Sequence, residues 1–196
     1  MTTPPLEITL LITRAHLPNG WLQRLQDRVQ APWRMRLFFL HEGVRQLGDP
    51  AWTPWLETAI EAAYCAHDHQ KMAGPTPLTA IQPGGLATLG RWIQASDLTL
   101  SLPAIHWPDP SGDPQSKTVA VLVTGNDPER LQALRLATGL AGCDLDVTLC
   151  HSSSTLSIWP TEATPYVQAL ESLGAHFDSL SITDQTPKTF KVIVQL

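Results

Sequence analysis

The chain trades short, almost continuously apolar runs against longer stretches in which apolar residues return every three or four positions. Leu6 to Thr13 (Leu-Glu-Ile-Thr-Leu-Leu-Ile-Thr) is rich in β-forming residues and has the pattern of a strand covered on both faces. Asn19 is placed to cap a helix on which Trp21, Leu22, Leu25 and Val29 recur at helical spacing. Met35 to Leu40 predicts a second strand, running into His41-Glu42-Gly43. After a loop with Gly48, Asp49 and Pro50, Thr53-Pro54 has the form of a helix start, with Trp55, Leu56, Ala59 and Ile60 as its apolar face. Ala62 to Cys65 reads as a short buried strand, and the polar segment after it as a helix. Gly84-Gly85 opens a helix that turns Leu86, Leu89, Trp92 and Ile93 inward, and Asp97 to Leu102 returns as a strand. Strands and helices alternating in this way predict an α/β fold with a parallel sheet.

His106 to Ser116 is rich in proline, glycine and small polar residues and reads as a linker. Beyond it the pattern begins again. Leu10-Leu11-Ile12-Thr13 recurs as Val121-Leu122-Val123-Thr124, and Asp127-Pro128-Glu129 opens a helix with Leu131, Leu134, Leu136 and Leu140. Phe38-Phe39-Leu40-His41 recurs as Thr148-Leu149-Cys150-His151, and Trp52-Thr53-Pro54-Trp55-Leu56 as Ala163-Thr164-Pro165-Tyr166-Val167. Thr13 and Thr124, like Thr53 and Thr164, lie 111 positions apart, and His41 and His151 lie 110 apart. Separate anchors at nearly one offset point to a tandem duplication. The expected organisation is a domain over 1–105, a linker over 106–116 and a second domain over 117–196. At the same offset the neighbourhood of His176 falls opposite Cys65, so the second copy has no equivalent thiol. It also lacks a helix signal before its last strand, Phe190 to Val194.

Composition narrows the function. Apolar residues make up 43% of the chain and charged residues 16%, which suits a folded globular protein. The formal net charge is −5 and the lysines are scattered, so nothing resembles an electrostatic footprint for nucleic acid. No apolar run approaches membrane-spanning length, and the first residues lack the cationic start of a signal peptide; a cytoplasmic protein without a membrane partner is the expectation. The three cysteines, Cys65, Cys143 and Cys150, have no paired spacing, so neither a disulfide framework nor a CxxC motif is indicated. Cys143 and Cys150 read as packing residues.

Cys65 stands apart because it ends a strand just before a helix start. Carboxyl ends of strands are where open α/β sheets place ligands, and the unpaired N–H groups of a helix start favour a thiolate. His67, His69 and Lys71 follow closely enough to support the negative charge. A buried cysteine serving as a small hydrophobe is the plain alternative, as is a solvated helix face for His69.

The order of elements resembles the DsrE/DsrF-like (TusD/TusC-like) sulfur-relay family. The resemblance rests on Leu10 to Thr13, on the strand running into Leu40-His41-Glu42-Gly43-Val44, and above all on Tyr64-Cys65-Ala66 followed by a polar segment and Gly74. It extends to Leu86 through Asp97, covering about 6–102 well and 118–195 weakly, as a degenerate second copy. The resemblance implies two flavodoxin-like domains in tandem and a Cys65 that takes up and passes on sulfane sulfur as a persulfide. It implies donor and acceptor proteins as partners, and no metal or nucleotide cofactor. It also implies a homo-oligomer, in which a trimer of tandem chains would imitate a six-domain assembly. Where family members more often carry small or apolar residues, this chain has His67-Asp68-His69.

Two rival readings accompany it. A catalytically silent assembly or regulatory subunit would use surface tryptophans for contacts, with Trp52, Trp55, Trp107 and Trp159 as candidates. A soft-metal site would use Cys65, His67 and His69, although a fourth ligand is not evident.

Overall fold

In a computed structural model, residues 7–17, 20, 22, 34–102, 118–123, 127–151, 161–178 and 192–195 are described. The chain divides into two compact units, Met1–Ile105 and His106–Leu196. The linker 106–116 lies outside the described residues, as does the helix expected over Trp21 to Val29 except for Leu22. Among the described residues no helix is long and apolar enough to cross a membrane.

Unit 1 is built on an all-parallel sheet of β1 (Glu7–Ile12), β2 (Arg34–Phe39), β3 (Glu61–Cys65), β4 (Gln82–Gly84) and β5 (Leu98–Leu102), in the order 4-3-2-1-5. Among the described residues its helices with given bounds are α1 (Thr53–Thr58), α2 (Ala66–Met72) and α3 (Leu86–Ala95), with 3-10 helices at His41–Gln46 and Pro50–Trp52. The layers are those of a flavodoxin-like α/β fold. Flavodoxin itself has the order 2-1-3-4-5, whereas here β2, β3 and β4 all lie on one side of β1 and β5 on the other. Right-handed crossovers then put α1 and α2 on one face and α3 on the other.

Side chains show both faces filled. Ile8 through Ile12 of β1 are buried at 0–1% exposure, threonine included, as the unbroken apolar run requires. Successive β2 residues point to opposite faces, so Phe38 meets Trp92 of α3 edge-on at 5.7 Å, and Phe39 meets Trp52 at 5.1 Å. Trp52 is wholly buried and Trp55 is 4% exposed, so both belong to the core and neither is available for surface contacts. Trp107 and Trp159 lie outside the described residues.

Three boundaries differ from the sequence expectation. Asp49 accepts the N–H of Ala51 at 2.9 Å and caps the 3-10 turn Pro50–Trp52, so the helical course begins ahead of Thr53. α1 stops at Thr58, leaving Ala59 and Ile60 off the helix face, because the Ile60 N–H donates to the Met35 carbonyl at 2.7 Å and draws the chain into the sheet. The strand β4, absent from the apolar pattern, is a three-residue edge strand containing Pro83.

The amino-terminal edge of the sheet carries an ion network. Arg36 Nη1 lies 2.8 Å from Glu7 Oε2, Arg36 Nε 3.0 Å from Glu61 Oε2, and Arg34 Nη1 3.2 Å from Glu7 Oε1. The strand register, which pairs Glu7 with Arg34 and Arg36 with Glu61, sets these contacts up. The hydrogen bond from Arg36, with added attraction from both arginines, holds the Glu7 carboxyl below its ordinary value of 4.5.

Unit 2 contains β6 (Thr118–Val123), β7 (Asp146–His151), β8 (His176–Asp178) and β9 (Val192–Gln195), parallel and in the order 8-7-6-9. Its helices are α4 (Asp127–Ala141) and α5 (Thr164–Ser172), preceded by a 3-10 turn at Thr161–Ala163. Leu134, Leu136 and Leu140 of α4 are buried, as are Val147 and Leu149 of β7 and Leu170 of α5, and α4 packs on β6, β7 and α5. β6, β7, β8 and β9 neighbour one another as β1, β2, β3 and β5 do in unit 1. Cys150 lies within β7 and Cys143 in the turn after α4.

Candidate functional site at the carboxyl end of β3

Three chain segments meet at the carboxyl edge of the unit 1 sheet. β1 ends at Ile12, whose carbonyl accepts the Leu40 N–H at 2.8 Å as β2 ends. The 3-10 helix His41–Gln46 then packs against β3 and α2. Gly43 makes this approach possible, since a Cβ there would stand 2.0 Å from the Ile12 carbonyl oxygen. His41 turns the chain with a left-handed φ of 53°. Farther along, Gln46 Oε1 accepts the buried indole N–H of Trp52 at 3.0 Å, and Gln46 Nε2 donates to the Arg14 carbonyl.

Cys65 is the last residue of β3 and the N-cap residue of α2, with extended backbone (φ −69°, ψ 105°). Its side chain makes no capping hydrogen bond to the helix and is 1% exposed. Neither Cys65 nor Cys143 is in a disulfide. The residues that follow occupy distinct surroundings. His67 and Lys71, one helical turn apart, are exposed. Asp68 faces the opposite way and is fully buried, its Oδ2 accepting the His41 N–H at 2.9 Å. His69 is half-buried; its ring meets Tyr64 edge-on at 5.0 Å, and its Nε2 stands 3.0 Å from the Pro75 carbonyl. A carbonyl only accepts, so Nε2 carries the proton. Gly74 lets the loop close on this ring, because a Cβ at 74 would come 2.6 Å from His69 Cδ2.

The four residues singled out in the sequence are therefore divided. Cys65 is enclosed, His67 and Lys71 lie on the exposed face, and His69 is engaged with the loop. Among the described residues, no group of three or more His, Cys, Asp and Glu side chains is placed to hold a metal ion, so Cys65, His67 and His69 do not form a ligand set. Two residues of the site were not picked out in the sequence, Asp68 and His41. The available signal for Asp68 was an acidic residue in the first turn after a strand end, a position that suits carboxylates binding backbone N–H groups.

No family model matches the chain, and no curated protein matches it.

Proposed function

We propose that this chain carries sulfane sulfur as a persulfide on Cys65 and passes it between a donor and an acceptor protein. The observation that carries the reading is the position of Cys65. It is a thiol at the carboxyl end of a strand in a parallel sheet, at the cap position immediately before a helix, within a run of elements resembling the DsrE-like sulfur-relay family. The Cys65 thiolate attacks the outer sulfur of the donor's persulfide. A sulfur–sulfur bond forms at Cys65 as the donor's breaks, and the donor leaves as a thiolate; attack by the acceptor thiolate on the outer sulfur reverses these roles. No net oxidation occurs and no cofactor is needed. His67 and Lys71 present a polar, partly cationic face beside the site for the partner.

The two units are read as copies of one ancestral domain. β6 follows β1, and the 3-10 turn Thr161–Ala163 follows Pro50–Trp52, at the same displacement of 111 positions. A trimer of such chains would then present six related domains, which sedimentation analysis tests directly.

A second reading is a silent assembly or regulatory subunit of the same fold. It is favoured by the 1% exposure of Cys65, since buried cysteines are commonly inert. Intact-protein mass spectrometry after incubation with polysulfide, or with thiosulfate and a sulfurtransferase, separates the two. The carrier reading expects a gain of one or more sulfur atoms, reversed by reductant and absent in Cys65→Ser. No gain, or the same gain in the variant, establishes the second reading in its place.

A further inference from the structure

We infer that Gly84, by lacking a side chain, leaves a seat for one atom beside Cys65, and that this seat holds the outer sulfur of the Cys65 persulfide against the Thr88 hydroxyl of α3. The inference rests on the sulfur-carrier reading and adds to it the place where the carried sulfur lies.

The register fixes the face. Phe38 of β2 packs on Trp92 of α3 and is the partner of Ala63, so Ala63 points to the α3 side of the sheet. Cys65, two residues on, points to the same side, and its partner on β4 is Gly84. A Cβ built on Gly84 would stand 3.5 Å from Ala63 Cβ, 3.5 Å from Thr88 Oγ1 and 3.6 Å from Thr88 Cβ. These are ordinary contact distances, so the space takes one heavy atom. Crowding demands glycine at 43 and 74, where a Cβ would come within 2.0 Å and 2.6 Å of its neighbours, and a positive φ accounts for Gly20 and Gly174. Neither reason applies to Gly84. A strand glycine without a steric or conformational cause marks a place where something else approaches closely.

The outer sulfur of a persulfide stands one S–S bond, about 2 Å, beyond Sγ. Neighbouring strands lie about 4.8 Å apart, so an outer sulfur turned from Cys65 toward β4 enters the gap that a methyl group at 84 would fill. Thr88 offers an O–H donor there, and its N–H bond to the Gly85 carbonyl at 3.0 Å fixes it in the first turn of α3. The cap residue Gly85 has no side chain to occupy the first-turn N–H groups, and no acidic residue lies in that turn, which suits an anionic sulfur. Cys65 itself is 1% exposed, but Gly84, Gly85, Leu86 and Thr88 are half-buried. Among the described residues a Cβ on Gly85 would meet nothing within 4 Å, so the seat is approached along the start of α3.

The probe is inorganic polysulfide added to the native full-length protein. The Cys65 thiolate attacks its end sulfur; the new sulfur–sulfur bond forms as the next one breaks, and the shortened polysulfide leaves with the electron pair. Persulfide on the peptide containing Cys65 is trapped by alkylation and quantified by mass spectrometry, with circular dichroism as the check on folding. Gly84→Ala fills the seat and lowers the persulfide yield roughly tenfold or more. Thr88→Val keeps the shape but loses the hydroxyl, and lowers it roughly threefold. Ala63→Gly, added to Gly84→Ala, returns one methyl group of room on the same face and restores most of the yield, a recovery that a merely structural fault at 84 does not show. An unchanged yield in Gly84→Ala, or a loss that Ala63→Gly does not restore, overturns the seat and leaves the carrier reading standing. If Gly84→Ala does not fold, Thr88→Val decides, and an unchanged yield there overturns the seat. Wild-type protein that gains no sulfur at Cys65 removes the carrier reading and the seat with it.

Discussion

Units 1 and 2 share a strand order but furnish corresponding positions differently. Trp52 and Ala163, 111 positions apart, are both wholly buried at the ends of matching 3-10 turns. In unit 1 the position carries an indole that packs on Phe39 and bonds Gln46; in unit 2 it carries a methyl group. The register pairs Arg36 with Glu61 and, at the corresponding place, Thr148 with His176, so an ion pair in one sheet has no charged-pair counterpart in the other. Both units keep the apolar strands and the Thr-Pro helix start. Among the described residues at these positions, the large aromatic side chain and the Arg36–Glu61 ion pair belong to unit 1.

The sharpest way to break this contrast is to give unit 1 the small residue of unit 2. Trp52→Ala removes a fully buried indole, its ring contact and a buried hydrogen bond, and is expected to destabilise unit 1 by about 3–5 kcal/mol. Urea unfolding followed by peptide-level hydrogen exchange reads the loss; a change under about 1 kcal/mol would show that unit 1 repacks as easily as unit 2 is packed.

Next in size is Gly43→Ala, which drives a Cβ into the Ile12 carbonyl and is expected to cost about 1–3 kcal/mol by the same measurement. Arg36→Leu follows. It leaves Glu7 and Glu61 without their shared partner, and a loss of about 1–2 kcal/mol is expected in unit 1.

Acid dependence gives a smaller effect of definite sign. Because the folded Glu7 carboxyl lies below 4.5, its contribution is fully present above that pH and is lost as pH falls through the lowered value. Glu7→Gln should flatten the stability of unit 1 across that acid window, and a curve parallel to wild type would discount the network. The exposed Arg45–Glu42 pair, 2.6 Å apart, lies at the bottom of the scale: Glu42→Ala should change stability by less than about 0.5 kcal/mol.

The sheet was legible where burial on both faces writes an unbroken apolar run, as in β1, β2 and β5. It was not legible in β4 or β8. Gln82-Pro83-Gly84 and His176-Phe177-Asp178 are edge strands of three residues, placed by hydrogen bonding to a neighbour rather than by their own pattern. α1 was overextended because Ala59 and Ile60 keep helical spacing while a ladder bond to Met35 captures the chain. At the site, Cys65 was visible from its place between an apolar run and a polar one. Asp68 was not, because its burial depends on the His41 N–H, 27 residues earlier, and a carboxylate in a polar run reads as solvated. His69 and Gly74 are legible only as a pair, since the glycine makes room for the ring. Tryptophan is ambiguous in a sequence for a related reason: only the packing of Phe39 shows that Trp52 belongs inside.

The central claim is that sulfur resides on Cys65, and the direct measurement locates it. Treat the native protein with polysulfide, trap persulfides with an alkylating agent and map the products by peptide mass spectrometry. The account predicts an added sulfur on the peptide containing Cys65, released by reductant, with the Cys143 and Cys150 peptides unchanged. An added sulfur on Cys143 or Cys150 alone, or on no peptide, contradicts it.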